Sequence, residues 1–164
     1  MDSLQWKGPQ NEKTKFFNIV TVVVMIASII YMFYIYPKLP EEIPVHFNIQ
    51  GEADGWGGKA SILIFPLMIL FPAFMGFVFG RYGHFLYSGE LSEKDKRIFV
   101  LTYEMITKIN TTLAFITFYS LWMVKQEAFD QMSFAPWSIF LFLAILAIII
   151  IQYFIQYFRV RKAG

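Results

Sequence analysis

Four long apolar stretches, Phe16 to Tyr36, Ala60 to Gly80, about Leu101 to Val124 and Trp137 to Phe158, leave this chain little choice of architecture. Each approaches the roughly 20 residues that a helix needs to cross a hydrocarbon core about 30 Å thick. None alternates with the period of a barrel strand, and backbone facing lipid must satisfy its own hydrogen bonds, so helices are the available solution. With 57% apolar, 20% aromatic and 16% charged residues, the composition lies far from that of a soluble domain. The expectation is an all-α integral membrane protein forming a single domain over 1–164. It is a four-transmembrane-helix bundle with an extended, strand-like extracytoplasmic loop, 37–59, between helices 1 and 2. The third helix should begin near Ser92, where Ser92 and Asp95 resemble a capping box, and enter the membrane at about Leu101.

The first apolar stretch follows Lys7, Lys13 and Lys15, but it is too long for a secretory signal, and Met32 to Pro37 offers no small-residue cleavage site. Read as an anchor with the N-terminus inside, it gives the inner segments eleven basic residues. These are the three lysines, Arg81, Lys94, Lys96, Arg97 and Lys108, and finally Arg159, Arg161 and Lys162. The outer side keeps three, Lys38, Lys59 and Lys125. This asymmetry places both termini in the cytoplasm. The net charge of +2 is then a sum over two opposed surfaces and gives no reason to expect direct nucleic-acid binding. Cysteine is absent, which excludes disulfides and thiolate chemistry.

Trp56, Trp122 and Trp137, with Tyr31, Tyr34 and Tyr36, fall at expected outer helix ends and read as an interfacial belt. Helix 2 contains Pro66 and Pro72, which should bend it, followed by Gly76 and Gly80. Glycines four apart let another helix approach closely, either within the bundle or in a homodimer, and packing within the bundle is the commoner use. Glu104 and Lys108 stand where helix 3 enters lipid, spaced to pair on one face or to snorkel to the headgroups. Asn110, Thr111 and Thr112 spell a glycosylation sequon inside the membrane and suit interhelical hydrogen bonds better. His84 has no carboxylate or second histidine at ligand spacing and reads as a solvated loop residue.

The polar island between helices 1 and 2 holds what is distinctive. Pro37, Pro40 and Pro44 favour extended backbone. From Ile43 the residues alternate, with Ile43, Val45, Phe47 and Ile49 on one face and His46, Asn48 and Gln50 on the other, as in an amphipathic strand ending at Gly51. Gly51, Gly55, Gly57 and Gly58 then suit tight turns with positive φ.

Three chemistries fit such a loop. Gln50, Glu52, Asp54 and Gly55 imitate the start of an EF-hand loop, but Ser61 stands where the bidentate Glu belongs, so no metal is assigned. A general base at His46, oriented by Asp54 or Glu52, would make a membrane enzyme or metal-dependent factor. The loop has no Ser, Thr or Cys nucleophile, and turn-stabilising roles for His46, Asn48 and Asp54 are commoner, so the chain is not read as an enzyme and no cofactor is expected. The third is recognition of an extended peptide along a strand edge, with Ile43, His46, Phe47, Asn48, Asp54 and Trp56 as the binding residues. An accessory subunit of a larger membrane complex, docked through Gly76 and Gly80, is a further alternative.

Leu39-Pro40, Ile43-Pro44, His46-Phe47-Asn48, Gly51, Asp54, Trp56, Gly57 and Lys59, directly after a first membrane helix, resemble the signature of the bacterial SdpI-like family and its associated uncharacterised membrane domain. That family includes immunity proteins that protect a cell from its own secreted peptide toxin, some of which hold a transcriptional repressor at the membrane. The resemblance implies a bacterial cytoplasmic-membrane protein with toxin immunity or peptide sensing as its role. A secreted peptide, a cytoplasmic repressor and the lipid bilayer would be its partners.

Overall fold

The computed structural model of the chain describes residues 10–48, 50, 52–82, 91–129 and 137–162. They form four helices and one small sheet: α1 (Glu12–Ile35), β1 (Glu42–Phe47), β2 (Ala53–Gly58), α2 (Ile64–Tyr82), α3 (Glu93–Ala128) and α4 (Trp137–Lys162). Single 3-10 turns, Tyr36–Lys38 and Lys59–Leu63, join the sheet to α1 and α2. Three segments, Glu12–Lys38, Lys59–Tyr82 and Phe140–Lys162, are long and apolar enough to cross a membrane, which makes this a multi-pass membrane protein.

α3 is the exception, although it is the longest helix at 36 residues. At 1.5 Å per residue it runs about 54 Å. Its composition falls short because the stripe it buries is polar: Thr107, Asn110, Thr111, Thr112 and Thr117 are all inside. α3 is the axis of the bundle, packed against each of the other three helices. α1 runs parallel to it. Asn11 lies beside Glu104, Thr21 beside Thr111, and Met32 and Ile35 share a cluster with Leu121 and Val124. α2 and α4 run antiparallel to α3: Gly76 lies against Asn110 and Gly80 against Tyr103, while Tyr153 meets Thr102 and Arg161 meets Lys94.

The α1–α3 seam changes character along its length. Far from the sheet it is polar: Asn11 Nδ2 donates to Glu104 Oε1 (2.7 Å), Asn18 Nδ2 to Tyr103 Oη (3.0 Å), and the hydroxyls of Thr21 and Thr111 bond to each other (2.8 Å). Thr111 also donates across the seam to the Phe17 carbonyl (3.1 Å). Such pairs satisfy groups that hydrocarbon cannot. Near the sheet the seam becomes apolar, with Met32, Ile35, Leu39, Ile43, Ile62, Leu121 and Val124 buried together.

Several expectations change. α1 starts at Glu12, earlier than Phe16, because the Asn11 side chain accepts from the Thr14 amide while Thr14 Oγ1 accepts from the Asn11 amide, a reciprocal cap. α2 begins at Ile64, so Pro66 falls in its first turn, where no amide hydrogen bond is lost, and only Pro72 lies inside the helix. Ser92 caps α3 by accepting from the Asp95 amide (3.1 Å), and α3 continues to Ala128, four residues past Val124. α4 extends to Lys162. Glu104 bonds Asn11 rather than Lys108, whose ammonium lies 6.0 Å from the Phe17 ring centroid. Gly76 and Gly80 both face α3. A Cβ on Gly76 would come within 2.6 Å of Asn110 Nδ2, and one on Gly80 would enter the Tyr103 ring. His84 lies outside the described residues, as does the side chain of Trp137.

Candidate functional site

The loop between α1 and α2 is a β-hairpin rather than one strand followed by glycine turns. β1 and β2 pair antiparallel, with Glu42 opposite Gly58, Ile43 opposite Gly57, Pro44 opposite Trp56, His46 opposite Gly55 and Phe47 opposite Ala53. No left-handed φ occurs at Gly55, Gly57 or Gly58; these are strand residues. At Gly55 and Gly57 glycine is there because the neighbouring strand comes too close for a side chain. A Cβ on Gly55 would sit 2.9 Å from His46 Cβ, and one on Gly57 3.2 Å from Val45 Cγ1. In β2 the glycines alternate with larger residues, so Ala53, Gly55 and Gly57 are half-buried while Asp54 and Trp56 are exposed.

The predicted alternation of β1 fails at one place. The register shifts between Pro44 and His46 and again between His46 and Phe47, as in a β-bulge. As a result Ile43 and Pro44 are both buried, and Val45 turns outward beside His46. Ile43 is 0% exposed and fixes the hairpin to the ends of α1 and α3, so its role is to anchor the surface rather than to touch a ligand. Phe47 is half-buried and packs on the same cluster. Ile49 and Gly51 lie outside the described residues.

Asn48 closes the hairpin. Its Oδ1 accepts from the amides of Gln50 and Glu52, each at 2.9 Å, its own amide donates to the Glu52 carbonyl (2.9 Å), and its Nδ2 donates to Glu52 Oε2 (3.1 Å). An Asx-type turn of this kind commits the side chain to the backbone. At the other end of the hairpin Lys59 donates to Glu41 twice, from its amide to the carbonyl (2.9 Å) and from Nζ to Oε1 (2.7 Å).

Between these clasps lies the exposed face. His46 Nδ1 donates to the Asp54 carboxylate, which orients the imidazole and leaves Nε2 without a hydrogen-bond partner among the described residues. The His46 side chain is 71% exposed. Trp56 is 53% exposed, and Val45 lies on the same hairpin, also exposed. The hairpin therefore exposes one oriented imidazole, one carboxylate and two apolar side chains, of which Val45 lies on the Gly57 side. Among the described residues no third histidine, aspartate or glutamate joins His46 and Asp54 closely enough to hold a metal ion with them. β1 packs on α3 and on the turn into α2, whereas β2 packs chiefly on β1, so β2 carries the less covered edge of the sheet.

Residues 23–70 match the family model of a domain of unknown function, DUF1648. The match runs from the middle of α1 through the whole hairpin into α2, so its centre is the surface just described. Neither the curated proteins nor the solved structures contain a match to this chain. The residues that the sequence alone did not bring out are Val45 as an exposed side chain and β2 as a strand. The regular spacing of Gly55 and Gly57 around Trp56 is the signal that carries β2.

Proposed function

We propose that this chain is a bacterial cytoplasmic-membrane protein that captures a secreted or membrane-active peptide on its hairpin, as toxin immunity or as peptide sensing. The observation that carries the reading is the anchored hairpin. Ile43 fixes it to the bundle while the edge of β2, Val45, His46, Asp54 and Trp56 stay available. An extended peptide adding to that edge would gain main-chain hydrogen bonds, and the side chains flanking it would select among sequences. Glu42 and Glu52, which meet no lysine or arginine in the described structure, favour a cationic peptide. The resemblance of this segment to the SdpI-like signature supports the same role.

The reading includes a fourth span and an orientation. α3 lies level with α1 from Glu104 beside Asn11 to Val124 beside Ile35, which supports α3 as the fourth span. Basic residues gather at the ends of α3 and α4 remote from the hairpin, which supports an orientation with that end in the cytoplasm and the hairpin outside.

The test is survival of a sensitive bacterium expressing the protein against a panel of secreted membrane-active peptides, with membrane abundance measured for each variant. Trp56→Ala, His46→Ala and Asp54→Ala should lose protection at normal abundance. Failure of the wild type to protect against any peptide counts against the reading. The oriented His46–Asp54 pair also suits a general base acting on water. His46→Gln separates the two, since a peptide site keeps part of its activity and a general base loses all of it.

A further inference from the structure

At the end of the bundle remote from the hairpin, the first turns of α3 and the last turns of α4 extend together past the start of α1. Lys94 Nζ donates to the Arg161 carbonyl (3.0 Å), holding the two ends side by side. Between them opens a cleft of about 520 Å³ lined by Glu93, Lys96, Arg97, Val100, Leu101 and Val160. Its walls and its rim differ in chemistry. Val100 and Leu101 of α3 and Val160 of α4 are apolar, and Phe154, Ile155 and Phe158, in the turns of α4 before Val160, are exposed apolar side chains of a membrane-crossing segment. The rim holds two cations and one carboxylate. Lys96 donates to Glu93 Oε1 at 2.7 Å, and this ammonium, with the Arg97 charge adding to it, holds the Glu93 carboxyl below the usual carboxylate range. Arg97 is exposed and takes part in no ion pair with the described residues.

An apolar slot bordered by a guanidinium and an ammonium, next to the exposed apolar surface of α4, has the layout of a phospholipid. We propose that this cleft binds one anionic phospholipid, its phosphate against Arg97 and Lys96 and an acyl chain along Val100, Leu101 and Val160. Basic pockets between helices at a membrane surface suit anionic headgroups. A guanidinium recognises phosphate oxygens through two parallel hydrogen bonds, which a lysine cannot reproduce. Arg159 and Lys162 lie exposed nearby on α4 without lining the cleft, and contribute only to the general field.

The purified protein, released from detergent and observed by native mass spectrometry, is titrated with phosphatidylglycerol and with phosphatidylcholine of the same acyl chains. Phosphatidylglycerol should be retained preferentially as a single adduct. Arg97→Gln should weaken its retention about fivefold, the effect of one cation at an anionic surface, while Arg159→Gln, which removes the same charge outside the cleft, should leave it nearly unchanged. Val160→Trp, which fills the slot, should lower retention of both lipids. If that variant does not fold, Val160→Asn, which makes the wall polar at similar volume, carries the same expectation. Equal losses in Arg97→Gln and Arg159→Gln would overturn the site in favour of diffuse attraction, and equal retention of the two lipids would overturn the headgroup assignment. Displacement of phosphatidylglycerol by inorganic phosphate would mark a free-anion site and overturn the lipid assignment.

Discussion

Ile43→Ala tests whether the hairpin is a platform built into the bundle or a flap resting on it. Ile43 is fully buried among Met32, Ile35, Leu39, Ile62, Leu121 and Val124, residues contributed by α1, the approach to α2 and α3. Truncation removes three carbons, about 0.8 kcal/mol each in transfer energy, and leaves a cavity, for a total of about 2–5 kcal/mol. The four helices keep their own contacts, so the loss falls on docking of the hairpin rather than on the fold. Even about 2 kcal/mol shifts the docking equilibrium about 30-fold. Hydrogen exchange in bilayer nanodiscs measures this directly. Amides of β1 and β2 should exchange at least about 30-fold faster in Ile43→Ala, with amides in the middle of α1 and α3 unchanged. Val45→Ala, at an exposed position of the same strand, should leave all of them alone. Undiminished protection of the hairpin in Ile43→Ala would show that other contacts hold it, and would remove the anchored surface on which the peptide reading depends.

Gly76→Leu and Gly80→Leu should each lower the thermal midpoint in detergent, since their side chains would strike Asn110 and Tyr103, at a cost of about 1–3 kcal/mol or more, while Gly58→Ala, with nothing within 4 Å of its Cβ, should be neutral. Tyr103→Phe leaves Asn18 Nδ2 without its acceptor, and a double-mutant cycle with Asn18→Leu should return a coupling of about 0.6–1.7 kcal/mol, read from unfolding in mixed micelles; no coupling would mean that the hydrogen bond contributes nothing. Asn48→Ala should loosen the 48–52 turn and raise the exchange of the Glu52 amide without changing membrane abundance, and an unaltered exchange rate would refute its turn-closing role. Because the chain has no cysteine, Lys125→Cys and Asp95→Cys can be labelled singly in intact cells; only the first should react with an impermeant thiol reagent, and the reverse result would invert the proposed orientation.

The sequence disclosed the helices better than the sheet, for a physical reason. A run of about 20 apolar residues has few other uses, and Ser92 with Asp95 fixes the start of α3 through a local hydrogen bond. β1 was legible through its proline and alternation, but a single extra residue at the bulge moved Val45 outward, and register depends on a partner strand that a one-dimensional pattern does not contain. β2 reads as turns in sequence because glycine serves two needs that look alike there: positive φ, and close approach of another backbone. Gly55 and Gly57 serve the second, and only the position of His46 and Val45 opposite them decides it. His46 and Asp54 stand out as candidates by residue type and spacing, whereas the bond between them follows from strand pairing.

α3 carries the opposite lesson about hydropathy. A helix at the centre of a membrane bundle meets other helices instead of lipid, so its side chains can be threonine and asparagine provided each finds a partner. Thr107 returns its hydroxyl to the Glu104 carbonyl, Thr112 to that of Lys108, and Asn110 reaches Pro72 on α2. No buried side-chain polar atom is left without a hydrogen bond among the described residues. α4 shows the reverse, an almost wholly exposed helix with a strongly apolar sequence. Apolarity here reports contact with lipid, not centrality, and the least apolar helix is the one that holds the other three and the hairpin in register. A polar-to-apolar change inside that stripe, such as Thr111→Val, would raise the hydropathy of α3 and yet weaken the bundle, because Thr111 joins α1 at both the Thr21 hydroxyl and the Phe17 carbonyl.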